Sequence, residues 1–359
     1  MKNRVIWIIS PEAWGEHLLS KHQYAIALTR RGNEVVFIEP DQGLRTVREV
    51  PGISELQLLD WKPVQGLRRF PKPVARYIQR RELLAIARKT QTRPDLIWSF
   101  DNSRFFDLDA NPFGARTIHH VVDLNQNFEF SRAASSAQLC LGTTRYITAK
   151  LKAFNSNSHL IGHGCDPVAC ADWKPQNRLK KQVVYSGNLL IPLLDHELLR
   201  TAIEAHPEVD FHFLGAYTRS NVSLQPHAEA LAFIAYLQGR ANVRLHGALR
   251  GAAYHKALEL ADLFIVAYRQ DAHEQIANPH KIPELLSTGR AIVSVVLDFY
   301  RDLDLLYMAH DGATWQNLLN ASLNDLDQVN SIALQTKRKN WAFQHSYDQQ
   351  INLIAEWLS

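Results

Sequence analysis

Apolar positions in this chain fall into short unbroken runs, separated by longer stretches with helical spacing. Val5-Ile6-Trp7-Ile8-Ile9 is continuous rather than alternating, the pattern of a strand buried on both faces of a parallel sheet. A polar loop follows over residues 10–17. Leu18, Leu19, Ala25, Ile26 and Leu28 then repeat at helical spacing up to Gly32, a helix-ending glycine, and Val35-Val36-Phe37-Ile38 forms the next strand. The opening is therefore β-α-β. Further runs at 96–98, 118–122, 139–141 and 159–161 extend a doubly wound, Rossmann-like α/β domain over residues 1–165.

Residues 166–181 turn polar and carry Pro167 and Pro175, as a linker does. The pattern then restarts. Strands are predicted at 183–185, 209–214, 243–245, 263–267 and 291–296, giving a second Rossmann-like domain over 182–325. Residues 326–359 carry no strand signal and are predicted to be helices that pack back on the first domain. No short-period repeat appears, which excludes solenoids. Two halves of this kind imply a cleft where the carboxyl ends of the strands receive a ligand.

Composition leaves that picture intact. The 359 residues fit two domains at the usual ~150 residues each, and 46% hydrophobic with 21% charged residues is ordinary for a globular protein. A net charge of +4 is too small for a general nucleic-acid binder. Cys140, Cys165 and Cys170 show neither a CxxC pair nor zinc-ligand spacing, so they read as free thiols of a reducing compartment. No apolar run approaches the roughly 18 residues of a membrane span, and Met1-Lys2-Asn3-Arg4 leads straight into a strand; a cytoplasmic chain is expected. Charge is uneven, however. Between residues 67 and 93 nine Lys and Arg face Glu82 alone, interleaved with Leu67, Phe70, Val74, Tyr77, Ile78 and Leu83. Such a stretch suits the anionic inner surface of a membrane, with a solvated helix face as the plainer alternative.

Neither the dinucleotide fingerprint GxGxxG nor the phosphate loop GxxxxGK[ST] is present. The informative stretch is residues 278–294. Asn278 suits an N-cap, Pro279 the first helical position and Gly289 the stop, predicting a short helix whose N-terminus would attract phosphate. His280 and Lys281 lie in its first turn, where Lys281 would meet an anionic ligand. Glu284, three residues on, would accept hydrogen bonds from sugar hydroxyls; a plain surface Lys281–Glu284 pair is the alternative. Gly187 and Asn188 follow the second domain's first strand and are read as donors to a diphosphate, with Arg219 as a further phosphate partner. In the first domain, Gly15 would allow close approach of a phosphate or sugar, and His17 beside it could act as a base.

Taken in order, Val183-Val184-Tyr185-Ser186-Gly187-Asn188, Phe213-Leu214-Gly215, the 242–247 turn, Ala261-Asp262-Leu263-Phe264-Ile265 and residues 278–294 resemble the donor-binding half of GT-B glycosyltransferases of the group 1/group 4 type. The resemblance implies two Rossmann-like domains facing a cleft and a hexosyltransferase-type enzyme using a nucleoside-diphosphate sugar. The acceptor would be a hydroxyl of a lipid-linked or cell-surface polysaccharide. Retaining members of that family carry two glutamates eight positions apart. Glu284 matches the second, but the first falls on Ile276, with Glu274 two positions away. The chain is also compatible with inverting glucuronosyltransferase-like relatives that place a lysine at 281 and an aspartate base after a first-domain strand; Asp123, after the run 118–122, fills that place. Two alternatives stand beside this reading: a nucleotide-sugar epimerase of the same fold, and a catalytically silent binding or scaffold partner. No metal or other cofactor is expected, since Asp107-Leu108-Asp109 lies away from the donor half, and nucleic acid is not an expected partner.

Overall fold

The structure is a computed structural model that describes residues 1–15, 18–44, 46–101, 103–122, 130–168, 170–218, 227–270 and 278–359. The chain forms two compact units, one of Met1–Gly162 with Tyr347–Ser359, the other of His163–Ser346. The first contains β1 (Val5–Ile9), α1 (Ser20–Arg30), β2 (Glu34–Pro40), β3 (Val47–Val50), β4 (Ile53–Trp61), α2 (Lys72–Thr90), β5 (Leu96–Ser99) and β6 (Arg116–Val121). It continues with α3 (Ser131–Ser136), β7 (Leu139–Gly142), α4 (Arg145–Lys152) and β8 (Ser158–Leu160). The second contains β9 (Lys181–Ser186), α5 (His196–Ala205), β10 (Val209–Leu214), α6 (Ala228–Gln238), β11 (Val243–Gly247), α7 (Gly251–Glu259) and β12 (Leu263–Val266). Then come α8 (Ile282–Ser287), β13 (Ala291–Val295), β14 (Tyr307–Ala309), α9 (Gly312–Asn324), α10 (Leu326–Val329) and α11 (Ile332–Gln344), before α12 (Tyr347–Leu358) returns to the first unit.

The first unit's sheet runs β3-β4-β2-β1-β5-β6-β7-β8 and is parallel except for β3. The unbroken apolar run of β1 has its reason in two-sided burial. Ile6 and Ile8 pack with Tyr24 and Leu28 of α1 and with Ile351 and Ile354 of α12, while Trp7 and Ile9 pack with Leu83 and Ile86 of α2 and with Ile147 and Leu151 of α4. The β3–β4 hairpin turns at Pro51-Gly52, where Gly52 has φ +82°, a position open to glycine but strained for other residues. This hairpin is absent from the sequence expectation because Glu55 and Gln57 interrupt the apolar run of β4.

His119 and His120 are buried on β6, and His120 stacks on Phe100 at 4.7 Å between ring centres. Burial lowers the pKa of His119 to about 4, and does the same for His22 on α1 and His212 on β10. His159, His196, His246 and His345 are shifted in the same direction. These groups protonate near their ordinary value of ~6.5 in the unfolded chain but resist protonation when folded, so stability is complete above that value and is lost as pH falls from 6.5 towards 4. Burial raises the pKa of Glu39 and Glu82, and these two act in the opposite sense. The histidines outnumber them, and urea midpoints are expected to drop between pH 7 and pH 5; an unchanged midpoint contradicts this assignment.

The second unit's sheet, β11-β10-β9-β12-β13-β14, is entirely parallel. Counted along this unit the order is 3-2-1-4-5-6, so the direction of winding reverses between β9 and β12, and loops at the carboxyl ends of those strands diverge to leave a crevice. Residues 163–180, polar in sequence, are anchored to this unit. Trp173 is buried, its backbone N–H donates to Gln335 Oε1 at 2.6 Å and its indole N–H donates to Asp262 Oδ1 at 2.9 Å. The short β14 lies at the end of the apolar run Leu305-Leu306-Tyr307-Met308-Ala309, which is not among the strands expected from the sequence.

Candidate functional site

A polar cluster of the second unit is assembled at the carboxyl end of β9, beside that reversal. Ser186 ends the strand, and its hydroxyl lies 2.8 Å from the Tyr254 hydroxyl on α7. α7 is the crossover between β11 and β12, which brings Tyr254 over to β9. Lys281 Nζ stands 4.5 Å from the centre of the Tyr254 ring, a cation–π contact, and 2.9 Å from Glu284 Oε2. Tyr254 is buried; burial, and then the Glu284 carboxylate, push its hydroxyl well above the usual phenol range. It remains neutral and can hydrogen-bond to both Ser186 and Glu284. The Lys281 and Glu284 side chains keep 31% and 18% of their surface exposed, so the pair is open to a ligand from one side.

The helix that carries the pair starts later than the sequence predicts. α8 begins at Ile282, with Lys281 at the N-cap, and Asn278 and Pro279 precede it in a turn closed by the Ile282 N–H to the Pro279 carbonyl at 3.2 Å. Pro283 explains the shift. A helix beginning at Pro279 would need the Pro283 N–H as donor and would drive its ring into the preceding turn, whereas at the first turn proline is tolerated. α8 is thus only six residues long, and the Lys281 charge rather than a helix dipole gives this end its attraction for anions. Gly289 ends the helix at φ +80°. His280 meets His163 edge to face at 6.2 Å between ring centres.

Gly187 and Asn188 follow β9 directly, and two of their polar groups are engaged within the loop. The Gly187 N–H donates to the Leu214 carbonyl at 3.0 Å, and Asn188 Oδ1 accepts from the Leu190 N–H at 2.9 Å. Glycine is required here for close approach: a Cβ on Gly215 would lie 1.8 Å from the Gly187 carbonyl oxygen, and one on Gly187 would lie 2.6 Å from the Tyr185 hydroxyl. The ends of β9 and β10 are therefore packed backbone on backbone next to Ser186.

In the first unit Gly15 is exposed in the loop after β1. That loop is tied down by the Trp14 N–H to Glu39 Oε2 at 2.6 Å, and the buried Arg104 donates to the carbonyl oxygens of Ser10 and, at 3.1 Å, Glu39. Asp107 and Asp109 are held in separate ion pairs, with Arg132 and with Arg76 at 2.6 Å. Asp123, His17, Arg219 and Glu274 lie outside the described residues. Among the predicted residues, the structure joins Lys281 and Glu284, and puts Gly187 and Asn188 in the loop directly after β9. Tyr254 and Ser186 were missing from the sequence reading; only the reversal of strand order at β9 and β12 reveals that α7 delivers a tyrosine there.

Matching over whole chains settles the architecture. A sucrose-phosphate synthase from Thermosynechococcus elongatus superposes with a TM-score of 0.72 at 14% identity, covering 99% of both chains. Anabaena HepE, solved with UDP and glucose, gives 0.69 at 14% identity over 99% of this chain and 100% of its own. A glycosyltransferase from Rickettsia africae gives 0.67 at 11% identity over 100% and 98%. The fold is GT-B. No protein-family model and no curated protein matches the chain in sequence.

Proposed function

We propose that the chain is a hexosyltransferase-type glycosyltransferase that moves a sugar from a nucleoside-diphosphate sugar to a hydroxyl of a lipid-linked or cell-surface polysaccharide. The observation that carries this reading is the Lys281–Glu284 pair, braced by Tyr254 at the point where the second sheet reverses its winding. An ammonium has three N–H donors, of which Glu284 takes one, so Lys281 can serve the diphosphate while Glu284 accepts from donor hydroxyls. In the reaction the bond from the sugar's anomeric carbon to the diphosphate oxygen breaks, and a bond from that carbon to the acceptor oxygen forms. The acceptor's proton passes to a base, for which Asp123 is the candidate, and the nucleoside diphosphate leaves with its added charge met by Lys281.

Similar structures favour the donor class: HepE is solved with UDP and glucose, and an E. coli trehalose-6-phosphate protein with UDP-2-fluoro glucose. The acceptor class is favoured by likeness to WaaB, a lipopolysaccharide outer core galactosyltransferase, at a TM-score of 0.64 and 12% identity. Such an acceptor places the enzyme peripherally at the inner face of a membrane.

A thermal-shift panel of UDP, GDP, ADP, dTDP and CMP tests the donor site. UDP is expected to shift melting most, since a ligand at 100 times its Kd stabilises by about 2.7 kcal/mol. Release of UDP from UDP-sugars then tests the reaction: it should depend on added acceptor. Conversion of the donor without acceptor, or binding without turnover, contradicts the transferase reading.

A further inference from the structure

The basic stretch of the first unit forms a surface that the donor chemistry does not use. α2 buries Ala75, Gln79, Glu82, Leu83, Ile86 and Thr90 against its unit. The opposite face carries Val74, Tyr77, Arg81 and Arg88, at spacings of three, four and seven residues that keep them in one stripe. Phe70 just before the helix is 47% exposed, Val74 42% and Tyr77 61%, an apolar group left uncovered at one end of the stripe. Arg69, Lys72, Arg80, Arg81 and Arg88 surround it and are exposed. Glu82, the one acid between residues 67 and 93, is turned inward, where it accepts the Val64 N–H at 2.8 Å. Asp109 neutralises Arg76 alone.

The charge is localised here. Residues 67–93 carry nine Lys and Arg against one Glu, so the rest of the chain, despite the overall +4, is net −4. An anionic surface would repel the remainder of the chain and attract this face, and exposed aromatic and aliphatic side chains beside cations suit the boundary between headgroups and acyl chains. Among the described residues no helix is long and apolar enough to cross a membrane, so attachment would be lateral.

We infer that this face of α2, with Phe70, Val74 and Tyr77 as apolar anchors and the flanking arginines and Lys72 as the electrostatic part, docks the protein on the surface of an anionic phospholipid bilayer. The inference does not require the transferase reading, because it concerns lipid affinity and not turnover.

The test is co-sedimentation of the full chain with vesicles of phosphatidylcholine alone and of phosphatidylcholine with an equal part of phosphatidylglycerol. Binding is expected only to the anionic vesicles and should weaken as salt rises. The double variant Arg80→Ala, Arg81→Ala should bind roughly 25-fold more weakly, about fivefold for each cation removed. The double variant Val74→Ser, Tyr77→Ser should also bind more weakly while keeping the salt dependence. All of these side chains are exposed, and both variants are expected to melt as the wild type does. Three results overturn the inference: equal binding to neutral vesicles, absence of binding to either, or undiminished binding by the arginine variant. Preference for a single-stranded oligonucleotide over anionic vesicles would also overturn it and assign the face to nucleic acid.

Discussion

Lys281→Ala is expected to weaken nucleoside-diphosphate binding about a hundredfold while leaving the melting temperature almost unchanged. The two effects separate because they rest on different interactions. In the ligand-free protein Lys281 is part of a partly exposed pair three residues apart on the chain and lies over the Tyr254 ring, contacts that contribute only ~0.2–0.5 and about 0.5–1 kcal/mol. In the complex the same ammonium would make charge-assisted hydrogen bonds to phosphate oxygens, worth roughly 1.5–3 kcal/mol, the upper end of which slightly exceeds a hundredfold in affinity. Removing it also leaves the Glu284 carboxylate facing a diphosphate with no cation between them, which adds repulsion to the lost attraction. Lys281→Arg should keep a good part of the affinity. Calorimetric titration with UDP, alongside thermal melting, reads both quantities. A loss of affinity matched by a loss of several degrees in melting would make Lys281 a structural residue rather than a donor contact.

The second large effect is on stability and comes from the carboxyl ends of β9 and β10. Gly215→Ala would place a Cβ 1.8 Å from the Gly187 carbonyl oxygen, far inside van der Waals contact. The obstructing atom is backbone and cannot rotate away. It belongs to a loop held by the Gly187 N–H to the Leu214 carbonyl at 3.0 Å and by the Leu189 N–H to the Ala216 carbonyl at 2.9 Å. Relief requires β9 and β10 to separate at their carboxyl ends, breaking those bonds and displacing Ser186 from Tyr254. Overpacking usually costs ~1–3 kcal/mol, and with backbone on both sides about 3 kcal/mol is expected from urea unfolding. A loss below about 1 kcal/mol would mean that the two loops are not packed as described.

Sequence and structure agree where burial is two-sided. β1, β2, β9 and β13 are read directly from apolar runs because a parallel strand covered on both faces has no polar positions to interrupt it. β4 is nine residues long but is interrupted by Glu55 and Gln57 and pairs with the edge strand β3, while β14 takes only the last three residues of the apolar run 305–309, a run not among the strands expected from the sequence. The start of α8 was misplaced because Asn278 and Pro279 form a good N-terminal signal by themselves, while the decisive constraint, the missing N–H of Pro283, lies inside the expected helix. The site shows the same division. Lys281 and Glu284 are neighbours along one helix turn and could be paired from spacing alone. Tyr254 and Ser186 are 68 residues apart, and only the reversal of strand order at β9 and β12 brings them together. Gly187 is singled out in the sequence for a diphosphate, whereas the structure adds a packing reason for glycine there, the Tyr185 hydroxyl 2.6 Å from where its Cβ would lie, a contact that no local pattern encodes.

The proposed donor site puts a nucleoside diphosphate at the carboxyl end of β9 in the second unit, held by Lys281. The most direct measurement is amide hydrogen exchange with and without saturating UDP, read by peptide. The account predicts slower exchange in peptides covering residues 186–190, 247–254 and 280–289, with the effect lost in Lys281→Ala at the same UDP concentration. Protection confined to residues 1–162, or exchange unchanged by UDP anywhere in residues 181–296, would contradict it.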